Sequence, residues 1–297
     1  MPRLNYSPAQ LAEKALDVRR NVVAALGLHP ILAPGSSLAG ADLLTTLFFY
    51  EINFRLDDLR WPERDLWHVS SRALAPALHA VMAEIGYFPG RDLLRLGEAG
   101  HHLGAVPSPA TPGVEVGAGA PGAGLSVAVG MALGARLDRN PRRVYCVMDD
   151  SEIQSGQVWE AAMAAAQFEV DNLVLAIDLD GRQADGDIEE IIGLASLAEK
   201  FRAFNWHVLE VDGNDVGQLV EAFDRSRNLH RAPTAILSCT TPGHGVSGWE
   251  ENDAPLTFEV AGEALRELKT SLEEWRQRLE AANGRRTPGH RAGGDRR

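Results

Sequence analysis

Only two of the 297 residues are cysteine, Cys146 and Cys239, and no Cys-x-x-Cys pair occurs. That excludes a disulfide-stapled scaffold and a cysteine-based zinc module. Each cysteine sits in an apolar, strand-like stretch, so both are expected to be buried free thiols in a reducing cytoplasm. Long apolar runs are missing as well. Nothing approaches the roughly eighteen consecutive apolar residues of a membrane span. The opening MPRLNYSPAQ lacks the apolar centre of a secretory signal. Positive charge is scarce, with 29 Lys and Arg against 41 Asp and Glu and a formal net charge of −12. This sets the chain against nucleic acid and anionic membrane surfaces. A phosphate ligand stays open, because backbone dipoles and a bound metal act locally.

What is present is an alternation of helical and strand patterns. Ser7-Pro8-Ala9-Gln10 offers an N-cap, a proline at the first helical position and a Gln three residues after the cap, with Gly27 as the stop. A second helix is expected from about Ala39 to Tyr50, a charged loop from Asp57 to Asp65, and a small-residue helix from Leu74 to Ile85 ended by Gly86. The glycine-dense stretch Gly113 to Gly124 leads into a helix from Leu125 to Leu137. Beyond it come strands, helices at Leu194–Phe204 and Val216–Arg225, strands at His207–Val211 and Thr234–Cys239, and a charged helix from about Phe258 to Ala282. Alternation of this kind predicts an α/β fold, a parallel sheet with helices on both faces. One domain over residues 1–282, with N-terminal helices within 7–55, and a disordered Gly-, Pro- and Arg-rich tail over 283–297 are expected.

The most telling segment runs from Met148 to Gly186. Asp150 ends the apolar stretch Val144–Met148, and Asp180 follows the apolar stretch Leu173–Ile177, with one helix between. Neighbouring parallel strands deliver their C-terminal ends to the same sheet edge. Two carboxylates and nearby carbonyls there suit a hard divalent cation that bridges to phosphate. The competing reading is that both aspartates cap turns and helices, as Asp commonly does.

The triplet Asp149-Asp150-Ser151, the turn at Asp180, and the flanking Gly156, Trp159-Glu160-Ala161, Asp171-Asn172-Leu173, Gln183 and Asp185-Gly186 resemble the thiamine-diphosphate motif of the transketolase family. Further matches are Arg64-Asp65, Ala75-Pro76-Ala77-Leu78, Gly86-Tyr87-Phe88-Pro89, Pro112-Gly113-Val114-Glu115, Gly124 to Leu133, Asp212-Gly213 and Gly243-His244-Gly245-Val246-Ser247. The resemblance runs from about Leu11 to Asn252. It implies the diphosphate-binding domain of the thiamine-diphosphate fold, without the pyrimidine-binding and third domains of full-length transketolases. The chain therefore resembles the N-terminal subunit of a split transketolase. A partner subunit with the pyrimidine-binding domain would supply the activating glutamate, in a heterotetramer with two copies of each.

The same resemblance implies the cofactors thiamine diphosphate and Mg²⁺ (or Ca²⁺ or Mn²⁺). The metal would be held by Asp150, Asp180 and the Arg182 carbonyl. Cofactor contacts fall on Gly113, Ala118, Ala120, Gly122, Asp149, Asp150, Ser151, Glu152, Asp180 and His244. Departures from the family pattern are equally informative. Asp149 and Ser151 replace the glycines on either side of the metal aspartate, and Asp180 replaces an asparagine. Unit charges about 4 Å apart interact by roughly 4 kcal/mol at an effective dielectric near 20, so an Asp149 facing the diphosphate would weaken its binding. The family's substrate histidines fall at Ala33, Ala73, near Ala105 and near Leu256. Ser155 stands where a glutamate links the two active sites of the dimer. Candidate catalytic residues are Arg72, which suits a carboxylate or phosphate, the pair His101 and His102, and His244. For Arg72 a surface ion pair, and for the histidines a solvated loop, are the competing readings. The expected activity is transfer of a two-carbon unit between carbonyl compounds. The alternatives are decarboxylating acyl transfer from a 2-oxo acid such as pyruvate, and a non-catalytic scaffold subunit.

Overall fold

The computed structural model describes residues 6–26, 31–32, 34–246, 248–250, 257–258 and 262–285. Ala33, Leu256 and the stretch 286–297 of the expected tail lie outside the described residues. In chain order the elements are α1 (Pro8–Leu26), β1 (Ile31–Leu32), α2 (Pro34–Ala39) and α3 (Ala41–Thr46), continued by a π-helical turn at Leu47–Glu51. Then come β2 (Leu66–Val69), α4 (Ala75–Ile85), a 3₁₀ turn (Gly90–Arg95), α5 (Gly124–Leu137), β3 (Val144–Asp149), α6 (Asp150–Ile153), α7 (Gly156–Gln167) and β4 (Leu173–Leu179). A small hairpin of β5 (Arg182–Gln183) and β6 (Gly186–Asp187) is followed by α8 (Ile188–Ile192), α9 (Leu197–Ala203) and β7 (His207–Asp212). The last are α10 (Val216–Ser226), β8 (Thr234–Cys239), β9 (Thr257–Phe258) and α11 (Gly262–Arg285).

The main sheet has five strands in the order β2-β3-β4-β8-β7, all parallel. Its central strands are apolar without interruption because both faces are covered. Side chains alternate across the sheet with period two. Tyr145, Val147, Val174, Ala176 and Ile236 join α1, α3, α4 and α10 in one core. Val144, Cys146, Met148, Leu173, Leu175, Ile177 and Leu237 join α5, α7 and α9 in the other.

Local signals set most boundaries. Ser7 and Gln10 form the expected reciprocal cap, the Ser7 N–H donating to Gln10 Oε1 at 2.9 Å and the Gln10 N–H to Ser7 Oγ at 3.4 Å. Gly86 closes α4 at φ 103°, a left-handed conformation that favours glycine. Three expectations need correction. The second helix begins at Pro34 rather than Ala39 and is broken into α2, α3 and the π turn. Strand β2 was not anticipated: at four residues, with Trp67 and His68 inside it, it carries no apolar run long enough to register. Cys146 is buried as expected, but Cys239 is exposed, because it is the last residue of β8 and its side chain leaves the sheet at the strand end.

A buried ion pair ties α1 to the helices beneath the site. Arg19 donates through Nη1 and Nη2 to the two Asp42 oxygens at 3.0 and 2.5 Å and through Nε to the Leu38 carbonyl at 3.0 Å. Asn214, beyond β7, donates to the Ala39 carbonyl and to Asp42 Oδ2, both at 3.1 Å. Breaking one partner of a buried pair leaves an uncompensated charge. Arg19→Met is expected to cost about 3 kcal/mol in urea unfolding, and Arg19→Met combined with Asp42→Leu should recover much of that loss.

Candidate functional site

The register of β3 on β4 places Asp149 opposite Asp178 at the C-terminal end of the pair. Asp150 opens α6 directly after β3, and Asp180 follows β4 by one residue. Together with Glu152 these side chains form one acidic edge, each of them buried. Asp150 accepts from the Gly181 N–H at 2.8 Å through Oδ2, and Asp180 accepts from the Arg182 N–H at 2.9 Å through Oδ1. The second oxygens, Asp150 Oδ1 and Asp180 Oδ2, find no hydrogen-bond partner among the described residues, and neither does Asp178 Oδ2. The other Asp178 oxygen accepts from Thr240 Oγ1 at 2.8 Å.

Charge crowding follows. Burial, then the neighbouring Asp180 carboxylate, pushes Asp150 up to about 8. Burial raises Asp180 to about 6 against the opposing bonds from the Ser36 hydroxyl and the Arg182 N–H. Burial, then Asp149, raises Glu152 to about 7, and burial with Asp180 beside it holds Asp178 well above the ordinary carboxylate range. Buried carboxylate oxygens with no donor are what a hard cation requires, so Asp150 and Asp180 fit a divalent metal.

Asp149 turns its carboxylate onto the chain's own backbone and hydroxyls. Its φ of −105° and ψ of 168° make it the N-cap of α6, and its Oδ1 accepts from the Glu152 N–H at 3.1 Å. The Ser151 and Ser71 hydroxyls also donate to this carboxylate. Glu152 reaches the other way. It accepts from Ser70 Oγ at 2.7 Å and from the Gly122 N–H at 3.1 Å. Two of the chain's own carboxylates therefore hold the hydroxyls and N–H groups that face this edge. Gly122 has φ +82°, and a Cβ there would run into the Ser155 side chain, so only glycine fits the turn.

The other anticipated residues divide. Gly122, Asp149, Asp150, Ser151, Glu152 and Asp180 are brought together. Ala118 is buried and bonded to the Pro107 carbonyl, while Ala120 is exposed on the approach to α5. Gly113 does not join them. At φ +87° it packs against the Tyr87 ring and lines a cleft of about 640 Å³ with Arg60, Arg64 and Glu115. Arg182 sits in the β5–β6 hairpin, its side chain paired with Asp187 at 3.1 Å. Arg72 is exposed and donates to the Gly119 carbonyl at 3.2 Å, rather than to a carboxylate. His244 is held by Glu250 at 2.8 Å, with Asp42 at 3.9 Å. Burial, then the nearby Arg19, lowers its pKa. His101 and His102 lie partly exposed on their own loop, beside Asp92. Ala73 is half-buried, its carbonyl accepting from Ser37 Oγ at 2.6 Å, and Ala105 is exposed. The sequence reading missed Asp178, Ser36, Ser70 and Ser71. Two aspartates spaced by one residue at a strand end, Asp178 and Asp180, were the available signal.

Comparison with known proteins shows the family. The family model for the thiamine diphosphate binding domain of transketolase matches residues 25–279. One chain of the 6-deoxy-6-sulfo-D-fructose transketolase of Clostridium sp. (strain MSTE9), named as a subunit, is 34% identical over 87% of this chain and 96% of its own length. A second such chain, from the apulose-4-phosphate transketolase of Phocaeicola vulgatus, is 34% identical over 81% of this chain and 87% of its own. In fold, the transketolase of Leishmania mexicana superposes with a TM-score of 0.73 at 20% identity, covering 94% of this chain and 46% of that one. The chain belongs to the transketolase family, by its thiamine-diphosphate-binding domain. It is a transketolase-like transferase chain. No described helix is long and apolar enough to cross a membrane.

A carboxyl group raised above its unfolded value is stabilising while protonated, and that contribution disappears as pH rises through the folded value. For Asp150 and Asp180 the window runs from the ordinary carboxylate range to about 8 and about 6. The metal-free chain is expected to lose thermal stability between mildly acidic and mildly alkaline pH. Mg²⁺ should restore more of it at the alkaline end, because metal competes with protons for the same oxygens. Asp150→Asn should flatten both trends in a melting series across pH.

Proposed function

We propose that this chain is the cation- and diphosphate-anchoring subunit of a heteromeric, cytoplasmic, transketolase-like enzyme that moves a two-carbon unit between carbonyl compounds. Asp150, Asp180 and the Arg182 carbonyl would hold a divalent cation, Mg²⁺ or a close relative, and the cation would hold the diphosphate. The reading rests above all on the unpartnered Asp150 Oδ1 and Asp180 Oδ2 at adjacent strand ends. When bound, thiamine diphosphate supplies the carbanion and the electron sink for C–C bond change. The partner would contribute the pyrimidine-binding domain, in a heterotetramer of two copies of each chain.

Within that assembly this chain's residues bind and position. The close turn at Gly122 lets backbone approach the anion, and Asp149 keeps its charge spent on the α6 cap. The loss of the family's imidazole at Ala73 removes a polar partner for sugar hydroxyls. Arg72, exposed three residues beyond β2 and tethered to the Gly119 carbonyl, suits an anionic group on the substrate. The names of the two split relatives carry a sulfo and a phosphate group respectively. A donor with a charged end fits that placement.

One observation favours the scaffold reading: Glu152 and Asp149 already occupy the Gly122 N–H and the Ser70 and Ser71 hydroxyls. Titration calorimetry of the assembled complex with thiamine diphosphate and Mg²⁺ separates the two. Micromolar binding lost in Asp150→Ala supports the enzyme, and no heat at millimolar cofactor supports the scaffold. With the partner present, ketose cleavage without CO₂ release from pyruvate is the expected activity. Carbon dioxide without ketose cleavage would overturn two-carbon transfer in favour of the 2-oxo acid reaction. Arg72→Ala should raise KM for an anionic donor about tenfold with little change in kcat, as loss of one charged hydrogen bond implies.

A further inference from the structure

Outside the acidic edge, one cluster has the composition of a metal site. Asp92 of the 3₁₀ turn and His101 and His102 of the next loop each present a ligand atom, all within 4.8 Å of one another. We propose that these three residues form a binding site for a zinc-class divalent transition metal, separate from the hard-cation site at Asp150 and Asp180. Two imidazoles and one carboxylate are ligands of borderline-soft metals, and three protein ligands leave a coordination position for water.

The geometry is close to what such an ion needs. Bonds of about 2.0–2.1 Å to a tetrahedral centre put neighbouring ligand atoms about 3.4 Å apart. His102 Nε2 lies 3.5 Å from Asp92 Oδ2. That nitrogen is buried and has no hydrogen-bond partner among the described residues. The two rings stack with centroids 4.3 Å apart and planes tilted by 38°, so the second imidazole needs a small movement. His101 Nδ1 receives the Leu103 N–H at a long 3.3 Å, a bond that ligation through that atom, or a ring flip, would give up.

The surroundings fix the ligands. The Gly97 N–H donates to the Leu103 carbonyl at 2.8 Å and the His101 N–H to the Glu98 carbonyl at 3.0 Å, closing the loop on itself. Phe88 meets the His102 ring edge to face at 5.5 Å. Thr111 Oγ1 donates to the His102 carbonyl at 2.7 Å. Through that bond the cluster is tied to the segment that runs from Thr111 towards Gly122. A metal here would fasten the 3₁₀ turn to the loop that ends at the acidic edge. The role is one of positioning, since none of the three residues reaches the carboxylates there.

The test uses the full chain with excess Mg²⁺ to occupy the hard-cation site. Equilibrium dialysis against micromolar Zn²⁺, read by elemental analysis, should find one zinc per wild-type chain. Affinity should fall by at least about tenfold in Asp92→Asn and His102→Gln, each losing one of three ligands. Asp150→Asn should leave that zinc in place. Co²⁺ in the unmutated chain should give the visible absorption of a low-coordinate N/O site, which keeps the test independent of how the variants fold. Zinc should also slow proteolysis within residues 97–111. Equal zinc binding by wild type and both variants, or zinc lost with Asp150→Asn instead, overturns the proposal. So does a Co²⁺ spectrum indistinguishable from the hexaaquo ion.

Discussion

Parallel pairing of two apolar strands forces acidic side chains into one buried space, and much of the site answers that crowding. Asp149 faces Asp178 in register, and Asp150 and Asp180 follow immediately. In a medium of low effective dielectric, like charges cannot all remain ionised without donors or a cation. Asp149 is satisfied by the first turn of α6 and two serine hydroxyls. Glu152 is satisfied by Ser70 and the Gly122 N–H. Asp150 and Asp180 each keep an oxygen with no partner among the described residues. The fold leaves these two carboxylates short of donors, and the proposed cation site rests on that shortage.

The departure at Asp149 is accommodated by the local fold. Asp149 in place of glycine places a charge beside the expected diphosphate. The carboxylate turns into its own helix cap, where the first-turn N–H groups of α6, which have no partner within the helix, favour negative charge. The substituted residue thus serves the local fold. The donors it uses are then shared with any incoming phosphate. In the proposed complex, affinity for the cofactor would depend on how far the cation outweighs that sharing.

The acidic edge was legible because it rests on local pattern: apolar strand, Asp, helix, apolar strand, Asp. Asp150 and Asp180 followed from that pattern, and Gly122 and Ser151 from the resemblance to the family motif. Gly113 was placed by the same motif logic. The structure sets it against Tyr87 because the long segment from 105 to 123 spans two different surfaces. His101 and His102 read as a solvated pair because their partner, Asp92, lies about three helical turns away in sequence, and only the folded loop brings it back. Strand β2 escaped notice for its shortness, and with it went the two serines that hold Asp149 and Glu152. Cys239 shows how a strand's last residue can escape the burial of the strand itself.

By itself the sequence determined the alternation of strands and helices, the family and the pair of carboxylates at neighbouring strand ends. The alternation and the carboxylate pair depend on periodicity and on spacing within a few residues, where the chain has little freedom, and the family on the resemblance of its motifs. Only the tertiary structure decided which way Asp149 points, that Glu152 and Ser70 meet across 82 residues, and that Asp92 joins His101 and His102. Such contacts depend on the packing of separate elements, and a one-residue change in register or a different loop path would redirect them.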